Sequence, residues 1–368
     1  MVNRRSRILQ LDVLRAIAIL LVVGSHLTFH PALSRFGWTG VDLFFVLSGF
    51  LVSGLLFQDY KTSGQIHWSR FIVRRGLKIY PAYYALLAAT VLFFSLGGTP
   101  IIWSSLWPDI FFLQDYWPGT WGHLWSLGIE EQFYIVLPLC LWIMAQRRQP
   151  HPFRWLLWLC AFVATACLSL RCAQFYVVRP FDHHSHMRPA HLRLDALFFG
   201  VLLSYLNEFR PSIWNAFLYG KGRFLLAVSL VCIIPALLFE QSTAFMYIFG
   251  LSLLYIGYGG ILVYSVSYLR GTGFLVRSLG RIGQSSYSIY LWHLPIAAIS
   301  VSVLQDRLHW DRTVVFVIYL VASIAFGIAM SHAIERPVLQ LRERLFPDTI
   351  HRRDADVVPS SALIERSA

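Results

Sequence analysis

An all-α, polytopic integral membrane helix bundle with about ten transmembrane helices is the fold class this sequence predicts, and three observations predict it. Of its 368 residues 57% are hydrophobic and only 14% are charged. Apolar stretches long enough to cross a bilayer recur along nearly the whole chain. Most Lys and Arg fall in short clusters between those stretches, the pattern that orients membrane proteins through their cytoplasmic loops. A water-soluble fold of this length has to cover its core with polar side chains, and a mean hydropathy of +0.57 leaves too few of them.

At about 20 apolar residues per crossing, spans are expected near 8–29, 38–58, 80–98, 121–145, 155–173, 191–207, 223–239, 244–266, 282–304 and 313–334. With the N-terminus inside, cytoplasmic segments hold Arg4, Arg5 and Arg7, the group from Lys61 to Lys78, Arg147, Arg148 and Arg154, Arg210 to Arg223, Arg270 to Arg281, and a group starting at Arg336. Outer segments hold only Arg35, Arg171, Arg179, Arg188, Arg307 and Arg312. The asymmetry places both termini in the cytoplasm and segments 97–120 and 171–191 outside, in a multi-pass protein of the cell inner membrane. The formal charge of +12 therefore addresses membrane lipids and not nucleic acid, which would need a basic patch on a soluble face. Residues 1–346 read as one membrane domain and 347–368 as a short, disordered cytoplasmic tail. The first span follows three arginines like a signal peptide, but Arg15 inside it and the lack of a small-residue cleavage site make it a retained helix. Five cysteines without CxxC spacing read as packing residues.

Ionisable side chains inside spans are costly and by default face a bundle interior or a wet cavity. In the first span, LDVLRAIAILLVVGSH, Arg15 and His26 are eleven residues apart, so on a helix they share a face within about 20° and lie roughly 16 Å apart along the axis. Each alone reads as a snorkelling arginine or an interfacial histidine. Together, with Asp12 one turn before Arg15, they read as the wall of a polar channel, and imidazole is suited to proton transfer near neutral pH. Asp42, in GVDLFFVLSGF, either accepts the His26 Nδ1–H or caps its helix. Gly49 and Gly54, with Ser48 and Ser53, read as small residues for close helix packing. Glu130 and Glu131, in LWSLGIEEQFY with Trp125 and Tyr134, point in different directions on a helix, so at most one is expected at the His26 site. That Glu orients the imidazole or binds an acceptor; otherwise it pairs with an intramembrane Arg such as Arg193.

Arg193 and Asp195 open the sixth span in LRLDALFFG, and His293 stands in SYSIYLWHLP, where aromatic neighbours suggest an interface belt. The cluster Asp182, His183, His184, His186 and His191 has no zinc-site spacing, and no metal is assigned. Arg74, Arg75 and Lys78, in RRGLKIYPAYY, serve either the positive-inside signal and lipid headgroups or a nucleotide phosphate.

These motifs, with a terminal ERP, stand in the order found in the acyltransferase 3 family of membrane-bound O-acyltransferases, which the chain resembles from about Leu11 to Pro337. The resemblance implies that Arg15 and His26 are needed for acyl transfer and that the basic motif handles the donor. In the family that motif reads Arg, two residues, Arg; here it is Arg75, Gly76, Leu77, Lys78, which keeps the charge and loses one guanidinium fork. Some relatives carry a C-terminal hydrolase-like domain, and none is expected here. The expected function is transfer of an acyl group, acetyl foremost, from cytoplasmic acyl-CoA to a hydroxyl of a carbohydrate or glycolipid. Acyl-CoA is then a co-substrate and no cofactor is called for. The catalytic residues would be His26, Asp42 and Glu130, the donor-binding residues Arg15, Arg74, Arg75 and Lys78, and the acceptor-site or supporting residues Trp125, Glu131, Tyr134, Arg193, Asp195 and His293. The other class these charges fit is a transporter using them as a substrate or proton pathway.

Overall fold

The computed structural model describes residues 9–27, 31–97, 103–147, 149, 151–218, 220–269, 271 and 273–347. The arginine cluster before residue 8 and all but Pro347 of the expected tail lie outside the described residues. Twelve α-helices of ten residues or more organise the described residues: α1 (Leu9–Ser25), α2 (Gly40–Ser63), α3 (Trp68–Leu96), α4 (Trp125–Ala145), α5 (Leu156–Val177) and α6 (Leu194–Phe209). They continue with α7 (Gly222–Ile233), α8 (Leu251–Tyr268), α9 (Phe274–Gln284), α10 (Ser286–Ser300), α11 (Arg312–Met330) and α12 (Arg336–Leu345). No strand occurs among the described residues.

Every expected span has a helix, but by length and composition seven helices among the described residues are able to cross a membrane. These are Leu33–Ser63, Trp68–Leu96, Trp125–Ala145, Pro152–Val177, Met246–Tyr268, Ser286–Arg307 and Arg312–Leu345. The other three expected spans are shorter. Helix α1 has 17 residues from the first described position, α6 has 16, and Gly222–Leu238 is broken before Pro235. At 1.5 Å per residue such helices reach about 24–26 Å, short of a hydrocarbon core of about 30 Å.

The bundle is apolar outside and charged within. Phe93, Trp158, Phe162, Phe224 and Val321 are exposed, whereas Asp42, Arg171, Arg193 and Asp195 are buried. Helix α11 shows how this arises. Its buried residues Val315, Tyr319, Ser323 and Gly327 recur every four positions, one narrow stripe, while its other faces keep apolar side chains exposed. Such a surface is stable only against lipid.

Helix α2 is the hub, packed against α1, α4, α6 and α8. Gly49 on α2 and Gly200 on α6 make that crossing possible, because a Cβ on Gly49 would strike the Leu197 carbonyl and one on Gly200 the Val46 carbonyl. This is the small-residue packing expected at Gly49. Gly54 differs: a Cβ there would meet only Ser204 Oγ, at 3.4 Å, and the residue borders a cavity. Helix α9 lies against α1, with Gly283 close to the Asp12 carbonyl.

Candidate active site

A cavity of about 810 Å³ opens among α1, α2, α3, α4, α10 and α12. Arg15 from α1, Arg75 and Lys78 from α3, and Glu130 and Glu131 from α4 are on its wall. Arg75 is the best-defined cation. Its Nη2 donates to Tyr134 Oη at 2.5 Å and its guanidinium stacks over the Tyr134 ring at 4.1 Å. A carboxylate only accepts, so the Tyr134 proton goes to Glu130 Oε2 at 2.5 Å, and Ser48 Oγ, 2.6 Å away, donates to Tyr134 in turn. Arg75 Nε and Glu131 Oε1 are buried without a hydrogen-bond partner among the described residues. Arg75, on the cavity wall, thus keeps a donor that no described protein group uses, and an incoming anion needs such donors.

Both glutamates line the cavity, although neighbouring positions on a helix diverge by about 100°. The cavity wraps around α4, so divergence does not exclude either. Glu130 is held by Tyr134 and Glu131 by Tyr80 at 3.2 Å, and neither bonds to His26. Arg74 leaves the site altogether. It donates to the Phe346 carbonyl and, at 3.0 Å, to Glu343, tying α3 to α12. Its neighbour Arg75, about 100° further round α3, is the one on the cavity wall.

His26 lies just beyond the last residue of α1, exposed, and is not on the cavity wall. The helix thus ends one residue short of the eleven-residue spacing that would set Arg15 and His26 on one helical face. Its Nδ1 lies 2.8 Å from the Val22 carbonyl, which only accepts, so Nδ1 carries the proton and neutral Nε2 keeps its lone pair. That corrects the expected role of Asp42: the backbone fixes this tautomer. Asp42 accepts from Arg193 Nη2 at 2.8 Å, both residues being buried, and Thr39, not Asp42, stands at the helix start. An enclosed guanidinium requires a counter-charge, and Asp42 is the carboxylate beside it.

Asp195 forms a second enclosed pair with Arg171 at 2.8 Å, and Arg171 also donates to Ser252 Oγ and the Leu192 carbonyl. Arg171, counted as an outer-loop cation from the sequence, is inside the bundle. Trp125 and Phe45 flank Arg193, with ring centroids 5.7 and 5.8 Å from its guanidinium carbon. Trp125, Arg193 and Asp195 thus support the helices around the site.

His293 is more central than its aromatic neighbours suggested. Its ring meets His26 and His123 edge to face, each at 4.7 Å between centroids. Tyr290 joins this file to the cavity: it is on the wall, 5.3 Å from the His123 ring and 5.6 Å from the His293 ring. His123 was not among the residues expected at the site, and its place immediately before the motif LWSLGIEEQFY was the available signal. His123 Nδ1 and His293 Nε2 are buried without a partner among the described residues, each at a cost of about 1–3 kcal/mol. Of the remaining histidines, His186 packs on Phe181 and Tyr247, and His191 stacks on Tyr116.

Two buried carboxylates, Asp109 and Asp115, stand in the segment before α4. Asp109 accepts from the Thr120 N–H at 2.7 Å; Asp115 accepts from Gln132 Nε2 at 2.9 Å and from the Ala190 N–H at 3.3 Å. Burial pushes both carboxyls up to about 6.

The chain matches the family described as Acyltransferase domain over residues 8–332. Among curated proteins it is similar to the peptidoglycan O-acetyltransferase OatA of Listeria monocytogenes, 28% identical over 332 residues, 82% of this chain and 51% of that protein. It is also similar to the O-acetyltransferase OatA of Staphylococcus aureus, 26% identical over 315 residues, 78% of this chain and 50% of that protein. The chain spans about half the length of these relatives. No solved structure matches it. With the family covering the helices that carry Arg15, Arg75, Glu130 and His293, this chain belongs to the acyltransferase 3 family.

Proposed function

We propose that this protein is a membrane-bound O-acyltransferase that moves an acyl group, acetyl foremost, from cytoplasmic acyl-CoA to a hydroxyl of a carbohydrate or glycolipid. The observation that carries the reading is a cavity with Arg15, Arg75 and Lys78 on its wall, joined through Tyr290 to a file of imidazoles ending at exposed His26. The basic end of the cavity is assigned to the cytoplasmic side, where the donor is made, and His26 to the opposite side. Arg75, Arg15 and Lys78 receive the polar parts of CoA, by guanidinium fork and ammonium point charge. Glu130 acts through Tyr134, holding Arg75 in place. The His26 tautomer leaves Nε2 available to take the acceptor's hydroxyl proton or to attack the thioester. The names of the relatives, peptidoglycan O-acetyltransferase among them, support a carbohydrate acceptor and an acetyl group.

The test is release of free CoA from acetyl-CoA by the purified protein, with and without His26, beside mass analysis of surface glycans and glycolipids from cells with and without the chain. Loss of an ester-linked acetyl mass in the deleted cells supports the reading; unchanged glycans together with no CoA release reject it. Sidedness is read by labelling single cysteines at Ser104 and His183 in a cysteine-free background. Labelling of intact cells places both segments outside, and labelling only after permeabilisation inverts the orientation.

A further inference from the structure

We infer that Arg336, in the ERP motif, holds the ribose 3′-phosphate at the nucleotide end of the donor. The inference rests on the transferase reading above and deepens it. Two of the three ERP residues, Glu335 and Arg336, are on the cavity wall. A π-helical turn over Ser331–Glu335 joins α11 to α12. It carries the buried stripe of α11, which ends in Ser323 and Gly327, on to Ser331 and Glu335 at the same four-residue interval. Arg336, the next residue, is exposed.

Helix α12 is pinned at both ends. Beside its first residue, buried Glu335 accepts from Ser288 Oγ of α10. In its last turn Glu343 accepts from Arg74 Nη2 of α3 at 3.0 Å, and the Phe346 carbonyl just beyond accepts from the same arginine. Between these ties Arg336, Leu339 and Arg342 recur every three residues on the cavity wall, within about 120° of one another around the helix. The ties hold that face in place before any ligand arrives.

The cations on the wall differ in what they already hold. Arg75 is bonded to Tyr134, at the middle of α4, and stacks on its ring. Arg342 is bonded to Glu343 at 2.5 Å and shares that carboxylate with Arg74. Arg336 makes no hydrogen bond and no ion pair among the described residues. Its nearest carboxylates in the chain, Glu335 and Glu343, are occupied by Ser288 and by those two arginines. A cation that only oriented the helix in the membrane would need no place on a cavity wall.

Acyl-CoA presents its phosphates in a fixed order. The diphosphate is nearer the thioester, and the 3′-phosphate, a monoester with about two negative charges, stands on the ribose at the far end. Arg75, bonded at the middle of a helix, suits the nearer group. Arg336, exposed with its whole guanidinium unused, suits the terminal one, to which it donates two parallel bonds. A phospholipid headgroup offers the same phosphate chemistry, and the experiment separates the two sources.

The experiment uses the full chain in detergent and compares acetyl-CoA with acetyl-dephospho-CoA, which lacks only the 3′-phosphate, by calorimetry. Wild type is expected to bind acetyl-CoA roughly tenfold to a hundredfold more tightly. Arg336→Gln should erase that preference, weakening acetyl-CoA while leaving acetyl-dephospho-CoA within about twofold of its wild-type affinity. Arg336→Lys keeps the charge, loses the fork and should fall between. Arg75→Gln, by contrast, should weaken both donors alike. An undiminished preference in Arg336→Gln overturns the inference, as does a loss shared equally by both donors. Should Arg336→Gln not fold, Arg336→Lys decides by the same comparison. A wild type that binds the two donors equally overturns the inference without any variant. If that wild type also retains phosphatidylglycerol that Arg336→Gln loses, the arginine holds a lipid headgroup instead. A wild type that binds neither donor overturns the transferase reading itself.

Discussion

Two groups of buried charge in this bundle look alike in the sequence and differ in kind. Around α5 and α6, Arg171 with Asp195 and Arg193 with Asp42 form ion pairs of 2.8 Å whose side chains are at most 2% exposed. Around α3 and α4, Arg75 and Glu130 do not touch directly; Tyr134 stands between them, and the group faces an 810 Å³ cavity. The first arrangement cancels charge on the spot and leaves nothing for a ligand. The second holds a cation by neutral hydroxyls, which fix its position while keeping its field. An intramembrane charge therefore signals function when its partner is a dipole at a cavity, and architecture when its partner is an enclosed opposite charge.

The sharpest way to break that comparison is at the histidine file. His26→Ala is expected to lower CoA release by about 10²–10⁴-fold while acetyl-CoA affinity and thermal stability stay near wild type. Normal release would remove His26 from the site. On the paired side, Arg193→Met leaves Asp42 enclosed without its counter-charge and should destabilise the protein by about 3–5 kcal/mol, seen as a lower melting temperature in detergent. Adding Asp42→Leu should recover most of that loss. If the double variant is inactive though stable, the pair belongs to the chemistry after all.

Arg75→Gln should weaken acetyl-CoA binding roughly tenfold to a hundredfold, the worth of about 1.5–3 kcal/mol for a charge-assisted contact. Arg74→Gln is the matched control. Its partner Glu343 is 43% exposed, so stability should change by no more than about 1 kcal/mol and donor affinity not at all. Equal effects at the two positions would make this basic cluster an orientation signal only. The smallest effect concerns pH. Burial raises the Asp109 carboxyl to about 6, so folding favours its protonated form. The segment before α4 is then less stable above that value and gains stability as pH falls through it. Amide exchange there should slow from pH 7.5 to pH 5 after correction for intrinsic rates, and Asp109→Asn should flatten the change.

Composition and periodicity alone determined the membrane class, the helix at each expected span, the close crossing at Gly49 and the candidacy of Arg15, Arg75, Glu130 and His26. These are properties of one segment at a time: lipid demands apolar length, helices demand a 3.6-residue repeat, and a charge in such a repeat announces itself. The motifs added the family. Only the tertiary structure decided which charge meets which. Asp42 was expected either at His26 or as a helix cap and lies on Arg193, and Arg171 was counted in an outer segment and is enclosed with Asp195. Arg74 points to α12 while Arg75 points to the cavity, and His123 and His293 flank one another across 170 positions of chain. A helix repeat states which side chains share a face but not which face meets which neighbour. That choice is set by how glycines such as Gly49, Gly200 and Gly283 let backbones close together, and so by contacts among segments far apart in the chain.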